Sequence, residues 1–416
     1  MESVIGYLSP YVCRYDSGSR TQMGKVLMLR LSEKMNRLGT ETAFEVLARA
    51  ETLAREGRDI INLGIGQPDF KTPGHIVEEA TKALRDGHHG YTPSPGILPL
   101  REAVAADLQL RRGVEVNPGR IVVVPGGKVT MFFAILMFGE PGAEILYPNP
   151  GFPIYESVIQ FSGATAVPTP LLEERDYSFD ADAVLDQITS NTRLLILNSP
   201  ANPTGGAVPR AEIDKLVAGL VDHPHVAVLS DEIYSRISYD GREHVSLCSY
   251  PEIADRLILL DGWSKTYAMT GWRMGYVVWP EVLVEGAIRL AVNCHSCVNA
   301  ATQFAGISAL EGPQDAVETM VNAFDQRREV IVNGLNRLPG FRCRTPGGAF
   351  YAFPNIEETG LDARSLQKRL LEEAGVATVA GTSFGHLGEG FIRFSYANSI
   401  ENIERALDRI ASLLAD

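Results

Sequence analysis

The stretch DGWSKTYAMTGWRMGY, residues 261–276, sets Lys265 among small, hydroxyl-bearing and aromatic neighbours, with Arg273 eight places on. A surface lysine normally keeps charged company. A lysine amine whose pKa is depressed, as nearby cations promote, becomes a nucleophile and a proton carrier. PGGK brings Gly126 and Gly127 to the start of the apolar, helix-length VTMFFAILMF, where backbone N–H groups and a helix dipole suit an anion. Arg393 lies inside the strand-like GFIRFSYA, and an arginine there is costly to bury without a bidentate anion or an ion-pair partner. Asp231 closes the apolar run VAVLSD, and Asn202 follows TRLLILNSP; as plain structure they would be a helix cap and a turn residue.

Short apolar runs must position these residues. RIVVVPGG, EILYPNP, TRLLILNSP, VAVLSDEIY and LILLDGWSK end in polar or turn residues and alternate with helix-length segments. That alternation predicts an α/β fold, a mostly parallel sheet flanked by helices. Ligands bind beyond the carboxyl ends of such strands, and Gly126 to Lys128, Asn202, Asp231 and Lys265 all stand just after a run. From about residue 298 the pattern changes to long amphipathic segments, QDAVETMVNAFDQRREVIVNGLNRL and ARSLQKRLLEEAG, with GGAFYAFPN and GFIRFSYA as strands of a smaller α+β unit. The N-terminal TAFEVLARAETLAREG is expected to pack with it. The expected organisation is a weakly ordered extension over 1–26, a segment over 27–75 packing with the small domain, a large domain over 76–297 and a small C-terminal domain over 298–416. Met23 and Met28 are alternative starts of translation.

Composition excludes several function classes. Hydrophobic content of 45% with 21% charged residues is that of a folded globular chain, and a net charge of −13 argues against nucleic acid or an anionic membrane as the main partner. No apolar run approaches membrane-spanning length, and the N-terminus does not read as a signal peptide. Five scattered cysteines, Cys13, Cys248, Cys294, Cys297 and Cys343, suit a reducing cytoplasm. GKVT is not a phosphate loop, because Val122 stands where its first glycine belongs and Val129 follows Lys128. LGIGQPDF places Asp69 at the third glycine of a dinucleotide fingerprint. Cys294-His295-Ser296-Cys297 lacks a second pair, so no metal site is expected. Asp231 and Glu232, adjacent in a strand, should face opposite ways.

SPANPTGG, LSDEIY and SKTYAMTGWRMGY together resemble the motif set of the class I/II aminotransferases, fold-type-I enzymes that use pyridoxal 5′-phosphate. The likeness runs from INLGIGQPDF to FIRFSYA, and YTPSPGILPLREAV, PGGK and NPGFPIYES are similar to the aspartate aminotransferase branch. The resemblance implies that Lys265 forms the Schiff base and serves as general acid and base. It implies that Asp231 faces the pyridine nitrogen and that Asn202 and Tyr234 hydrogen-bond the phenolic oxygen. Gly126, Gly127, Lys128, Ser264 and Arg273 would surround the phosphate end, which accounts for the spacing of Arg273 from Lys265. Phe152 would stack on the cofactor ring where many members carry tryptophan, so the indole donor is missing. Arg393 and Gly66 would hold the substrate α-carboxylate, with Phe152 and Asn202 beside it. Tyr91 of HHGYTPSPG would reach the phosphate of a neighbouring subunit, implying a homodimer.

The substrate side chain rests on one residue. In the related aspartate enzymes a lysine after the glycine pair reads the distal carboxylate, and Lys128 stands there. The expected reaction is L-aspartate with 2-oxoglutarate, giving oxaloacetate and L-glutamate by a ping-pong cycle in cytoplasmic amino acid metabolism. Those relatives also use a threonine near the N-terminus, where an ungapped match puts Ala43, with Thr42 one position off. Lys128 as a plain helix-start lysine leaves open aromatic or small neutral substrates such as alanine. A C–S lyase is the alternative on the same scaffold. A non-catalytic regulator is disfavoured, since Lys265 is retained and no DNA-binding helix-turn-helix fits before residue 40.

Overall fold

The computed structural model describes residues 30–415; the extension expected over 1–26, the two alternative start methionines and Cys13 lie outside the described residues. Its centre is a seven-stranded sheet in the order Ile121–Val124, Gly275–Val278, Leu257–Gly262, Ala227–Asp231, Thr192–Asn198, Glu144–Asn149, Thr165–Pro170. Within it only Gly275–Val278 runs antiparallel to its neighbours. Both faces are covered by helices, which is why the strands read as continuous apolar runs rather than alternating ones. In Leu257–Gly262, Ile258 and Leu260 enter one core with Phe133 and Trp279, while Leu259 enters the opposite core with Trp263 and Tyr276. Each buried Leu or Ile contributes roughly 1.5–3 kcal/mol. A one-residue slip would exchange the two faces, so register is strongly set, and with it the position of Lys265.

Two strands of this sheet are absent from the sequence reading. Thr165–Pro170 contains Pro168 and Pro170, which break the strand signature but are tolerated because this strand is the sheet edge. Gly275–Val278 is short and follows a loop, so its apolar content is not enough to mark it.

A smaller unit stands beside the sheet. Its three-stranded antiparallel sheet has the order Val379–Ala380, Ile392–Ser395, Tyr351–Ala352, and a short parallel pair joins Ile61–Asn62 to Val376–Ala377. The helix Thr42–Arg55 packs its Val46, Ala50 and Leu53 on Leu371 and Ala377 of this unit. The helix Ala300–Glu311 behaves otherwise, since Ala305 and Ala309 join Ile76, Leu100 and Val104 in a core of the large unit. In the long helix Asp315–Leu335, Val317 still belongs to that core whereas Met320 and Phe324 enter the core of the smaller unit. We therefore propose that the units divide within this helix rather than at residue 298. Among the described residues no helix is long and apolar enough to cross a membrane.

Candidate active site

Pairing register brings the functional loops to one edge of the large sheet. Asn198 is level with Asp231, and Gly275 is level with both Gly262 and Val124. The loop after Val124, the turn after Gly262 and the residues before Gly275 therefore emerge side by side. The antiparallel return is what carries Arg273 back beside Gly126. Facing them across a cavity of about 440 Å3 is Arg393 from the smaller unit, with Gly66, Tyr351 and the N-terminal residues Glu41, Ala43 and Phe44.

Lys265 sits in a one-turn helix, Trp263–Thr266, pinned by the buried Trp263, whose indole N–H donates to the Gly306 carbonyl at 3.1 Å. Its Nζ donates to the Gly66 carbonyl oxygen at 2.6 Å. Burial, reinforced by the positive charges of Arg393, Arg273 and Lys128, brings this amine down to about 8, with Asp231 opposing. That is the environment in which a lysine is a usable nucleophile and base near neutral pH.

Asp231 is buried at the strand end. Tyr155 Oη donates to its Oδ2 at 2.6 Å and the Ile233 N–H to its Oδ1 at 3.3 Å. Burial pushes the carboxyl up to about 6 despite these bonds. No lysine, arginine or histidine pairs with it among the described residues, so a carboxylate here is short of a cation. Its neighbour Glu232 points the other way, to Arg112 at 2.9 Å and His244 at 2.7 Å. Although burial opposes ionisation, the Arg112 cation and the contact with His244 hold Glu232 down to about 2.

Gly126 precedes the twelve-residue helix Gly127–Phe138 with φ of 90°, in the left-handed region. A Cβ there would lie 2.1 Å from Arg273 Nη2, so the guanidinium lies directly against the bare backbone. Arg273 itself has φ of 53° and donates from Nη1 to the Thr270 carbonyl at 2.7 Å. Ser264 completes this end of the cavity. We expect Gly126→Ala to cost about 1–2 kcal/mol in backbone strain and to swing Arg273 away. Urea denaturation reads the first effect; weakening of the affinity for pyridoxal 5′-phosphate by about tenfold, measured by equilibrium dialysis, reads the second.

Arg393 is 3% exposed, yet no carboxylate lies within 4 Å of it among the described residues. Nη1 donates to Asn202 Oδ1 at 2.8 Å and Nη2 to the Gly64 carbonyl at 2.5 Å, while Nε is buried without a partner. The rings of Tyr351 and Phe384 lie 4.6 and 4.7 Å from the guanidinium carbon. Burial pulls its pKa below the ordinary arginine value, with Tyr351, Tyr234 and the Glu41 carboxylate opposing from beyond contact, and a desolvated cation that no carboxylate touches suits an anion. Gly66 lies close by; a Cβ on it would meet Tyr351 Oη at 2.3 Å, so no side chain fits between backbone and ring.

The remaining expected residues divide. Phe152, Asn202 and Tyr234 line the cavity; Phe152 is edge-on to Tyr155 at 6.0 Å, and Tyr234 Oη shares a hydrogen bond with Tyr351 Oη at 2.8 Å. Lys128 lines it too, but its amine is paired with the carboxylate of Glu41. Tyr91 does not reach the cavity of its own chain and is 92% exposed. Tyr155, Tyr351 and Glu41 escape the sequence reading, and the signals are weak. Tyr155 is three residues from Phe152, but its partner Asp231 is 76 positions away. Cys248, Cys294, Cys297 and Cys343 are free thiols, and no cluster of metal-ligating side chains occurs among the described residues.

A lone low-pKa amine, a cation-seeking carboxylate and two separate anion sites around one cavity define an enzyme that holds an anionic carbonyl cofactor and a carboxylate substrate together. Residues 58–410 match the family model of the class I and II aminotransferases, and the chain belongs to that family. It is a pyridoxal-phosphate-dependent aminotransferase. It is 37% identical to an aspartate aminotransferase of Pyrococcus abyssi over 86% of this chain and 92% of that one. It is equally 37% identical to an aromatic-amino-acid aminotransferase of Thermococcus litoralis, over 88% and 94%. The crystal structure of an aspartate aminotransferase from Rhizobium meliloti superposes with a TM-score of 0.88 at 33% identity, covering 93% of this chain and 99% of that one.

Proposed function

We propose that this chain transfers the amino group of L-aspartate to 2-oxoglutarate, giving oxaloacetate and L-glutamate in two half-reactions through one cavity. The reading is carried by the Lys265 amine of depressed pKa, set between the Asp231 carboxylate and the buried Arg393, which no carboxylate touches. Pyridoxal 5′-phosphate supplies a carbonyl carbon that amines attach to and a cationic ring that takes up the electrons left when a proton departs from the substrate Cα.

The chain's own residues do the rest. Lys265 Nζ would hold the cofactor until an incoming amine displaces it, and would then move a proton between the substrate Cα and the cofactor carbon that carries the amine. Asp231, kept in place by Tyr155, supplies the negative charge that a protonated ring nitrogen needs. The backbone around Gly126 and Gly127, with Lys128 on the next position, Ser264 and Arg273 would surround the phosphate. Phe152 would cover a ring face, and Asn202 and Tyr234 would offer hydrogen bonds to the phenolic oxygen. Arg393 and the Gly66 backbone bind the α-carboxylate of donor and acceptor alike. The exposed Tyr91 supports a homodimer in which each chain completes its partner's phosphate site. The acidic charge and few cysteines support a cytoplasmic enzyme.

The names of several relatives and the place of Lys128 support aspartate. A second reading, neutral or aromatic donors, is favoured by Ala43 lining the cavity where a threonine is expected and by Glu41 on Lys128. Purified holoenzyme offered a panel of amino acids with 2-oxoglutarate distinguishes them. Keto-acid release with parallel double-reciprocal plots is expected, fastest with aspartate; no release from any amino acid would sink the proposal.

A further inference from the structure

The segment ahead of the first long helix crosses the mouth of the cavity between two anchors. On one side Arg37 Nε donates to the Gln160 carbonyl at 2.8 Å and the Gly39 N–H to Ser157 Oγ at 2.8 Å, both on the large unit. On the other, Thr42 Oγ1 donates to Ser383 Oγ at 2.5 Å, on the smaller unit. Glu41 is held between them, its side chain only 15% exposed, and its carboxylate lies on Lys128 Nζ. The Lys128 side chain keeps 40% of its exposure, and the protein side of this ion pair is largely apolar. Lys128 Nζ is 5.4 Å from the ring centres of both Phe44 and Phe152, and Ala43 and Met131 complete the wall.

An aminotransferase passes donor and acceptor through the same cavity in turn. A bare lysine at the far end would suit only ligands that bring a second carboxylate, because any other side chain would desolvate an unpaired ammonium. Glu41 removes that restriction. With its carboxylate in place the far end is electroneutral, and an uncharged side chain meets the two phenylalanine rings without stranding a charge. A dicarboxylate would instead have to displace Glu41 from Lys128.

We propose that Glu41 determines side-chain specificity, acting as a built-in stand-in for the substrate's distal carboxylate and so admitting uncharged aliphatic and aromatic amino acids alongside dicarboxylates. This rests on the reading of Lys128 given above. The test compares wild-type holoenzyme with Glu41→Gln and Glu41→Ala, using kcat/KM for L-aspartate and L-phenylalanine. Dissociation constants of succinate and 3-phenylpropionate as non-reacting probes are measured alongside. Removing the carboxylate should raise the aspartate-to-phenylalanine ratio about tenfold, mainly through KM, tighten succinate by a similar factor and weaken 3-phenylpropionate. A ratio and a succinate affinity within twofold of wild type in both variants would overturn the proposal. Should the wild-type enzyme transaminate nothing, the functional reading fails, and the two probe affinities still decide the role of Glu41.

Discussion

Lys265→Met abolishes transamination, lowering kcat by at least about 10⁴-fold, because both covalent attachment and proton transfer at the substrate Cα are lost together. Single-turnover absorbance with a saturating amino acid checks this; residual turnover within a hundredfold of wild type would remove Lys265 from the chemistry. The same variant has a stability signature of opposite sign. The amine titrates near 10.5 in the unfolded chain and near 8 in the folded one. Below about pH 8 both states carry the proton, and the folded state bears the whole cost of burying it. Between those values the unfolded chain binds more protons, so wild-type stability rises with pH through this window. Cofactor-free Lys265→Met is therefore more stable than wild type at pH 7, by on the order of 2 kcal/mol, and the advantage fades towards pH 10. Urea melts at pH 7 and 9.5 measure it.

Arg393→Lys lowers kcat/KM by about 10²- to 10³-fold, mostly through KM, and by the same factor for every amino acid and 2-oxo acid accepted. The α-carboxylate is common to all substrates, whereas a residue reading the side chain would discriminate among them. Lysine keeps the charge but loses the planar fork, and it cannot hold both Asn202 and the Gly64 carbonyl while presenting further donors to a ligand. Steady-state kinetics across the amino-acid panel test this. A loss confined to aspartate would move Arg393 to the side-chain end of the cavity and undo the assignment of its anion.

These two effects come from residues that local context marks clearly. An arginine in GFIRFSYA and a lysine in DGWSKTYAM stand out because their neighbours cannot satisfy a charge. The large sheet is legible for a similar reason, since runs such as LLIL and VAVL have one stable place, between two layers of helices. The edge strand Thr165–Pro170 is hidden by its prolines, and the short Gly275–Val278 by its length. The placing of helix Ala300–Glu311 depends on which core its alanines enter, a choice that small apolar residues do not announce.

What the chain alone determined is the inventory: an amine, a carboxylate, a glycine pair and two arginines, each placed at a strand end or in a strand by hydrophobic patterning. Only the tertiary structure decided which of them meet. Tyr155 reaches Asp231 across 76 positions, Arg393 reaches Asn202 across 191, and Glu41 reaches Lys128 across 87. Charge states and specificity depend on burial and on distances of a few ångströms between such remote groups, because Coulomb and desolvation energies vary steeply there. Sequence spacing carries no record of those distances, so the chemistry was readable while the tuning of the far pocket by Glu41 was not.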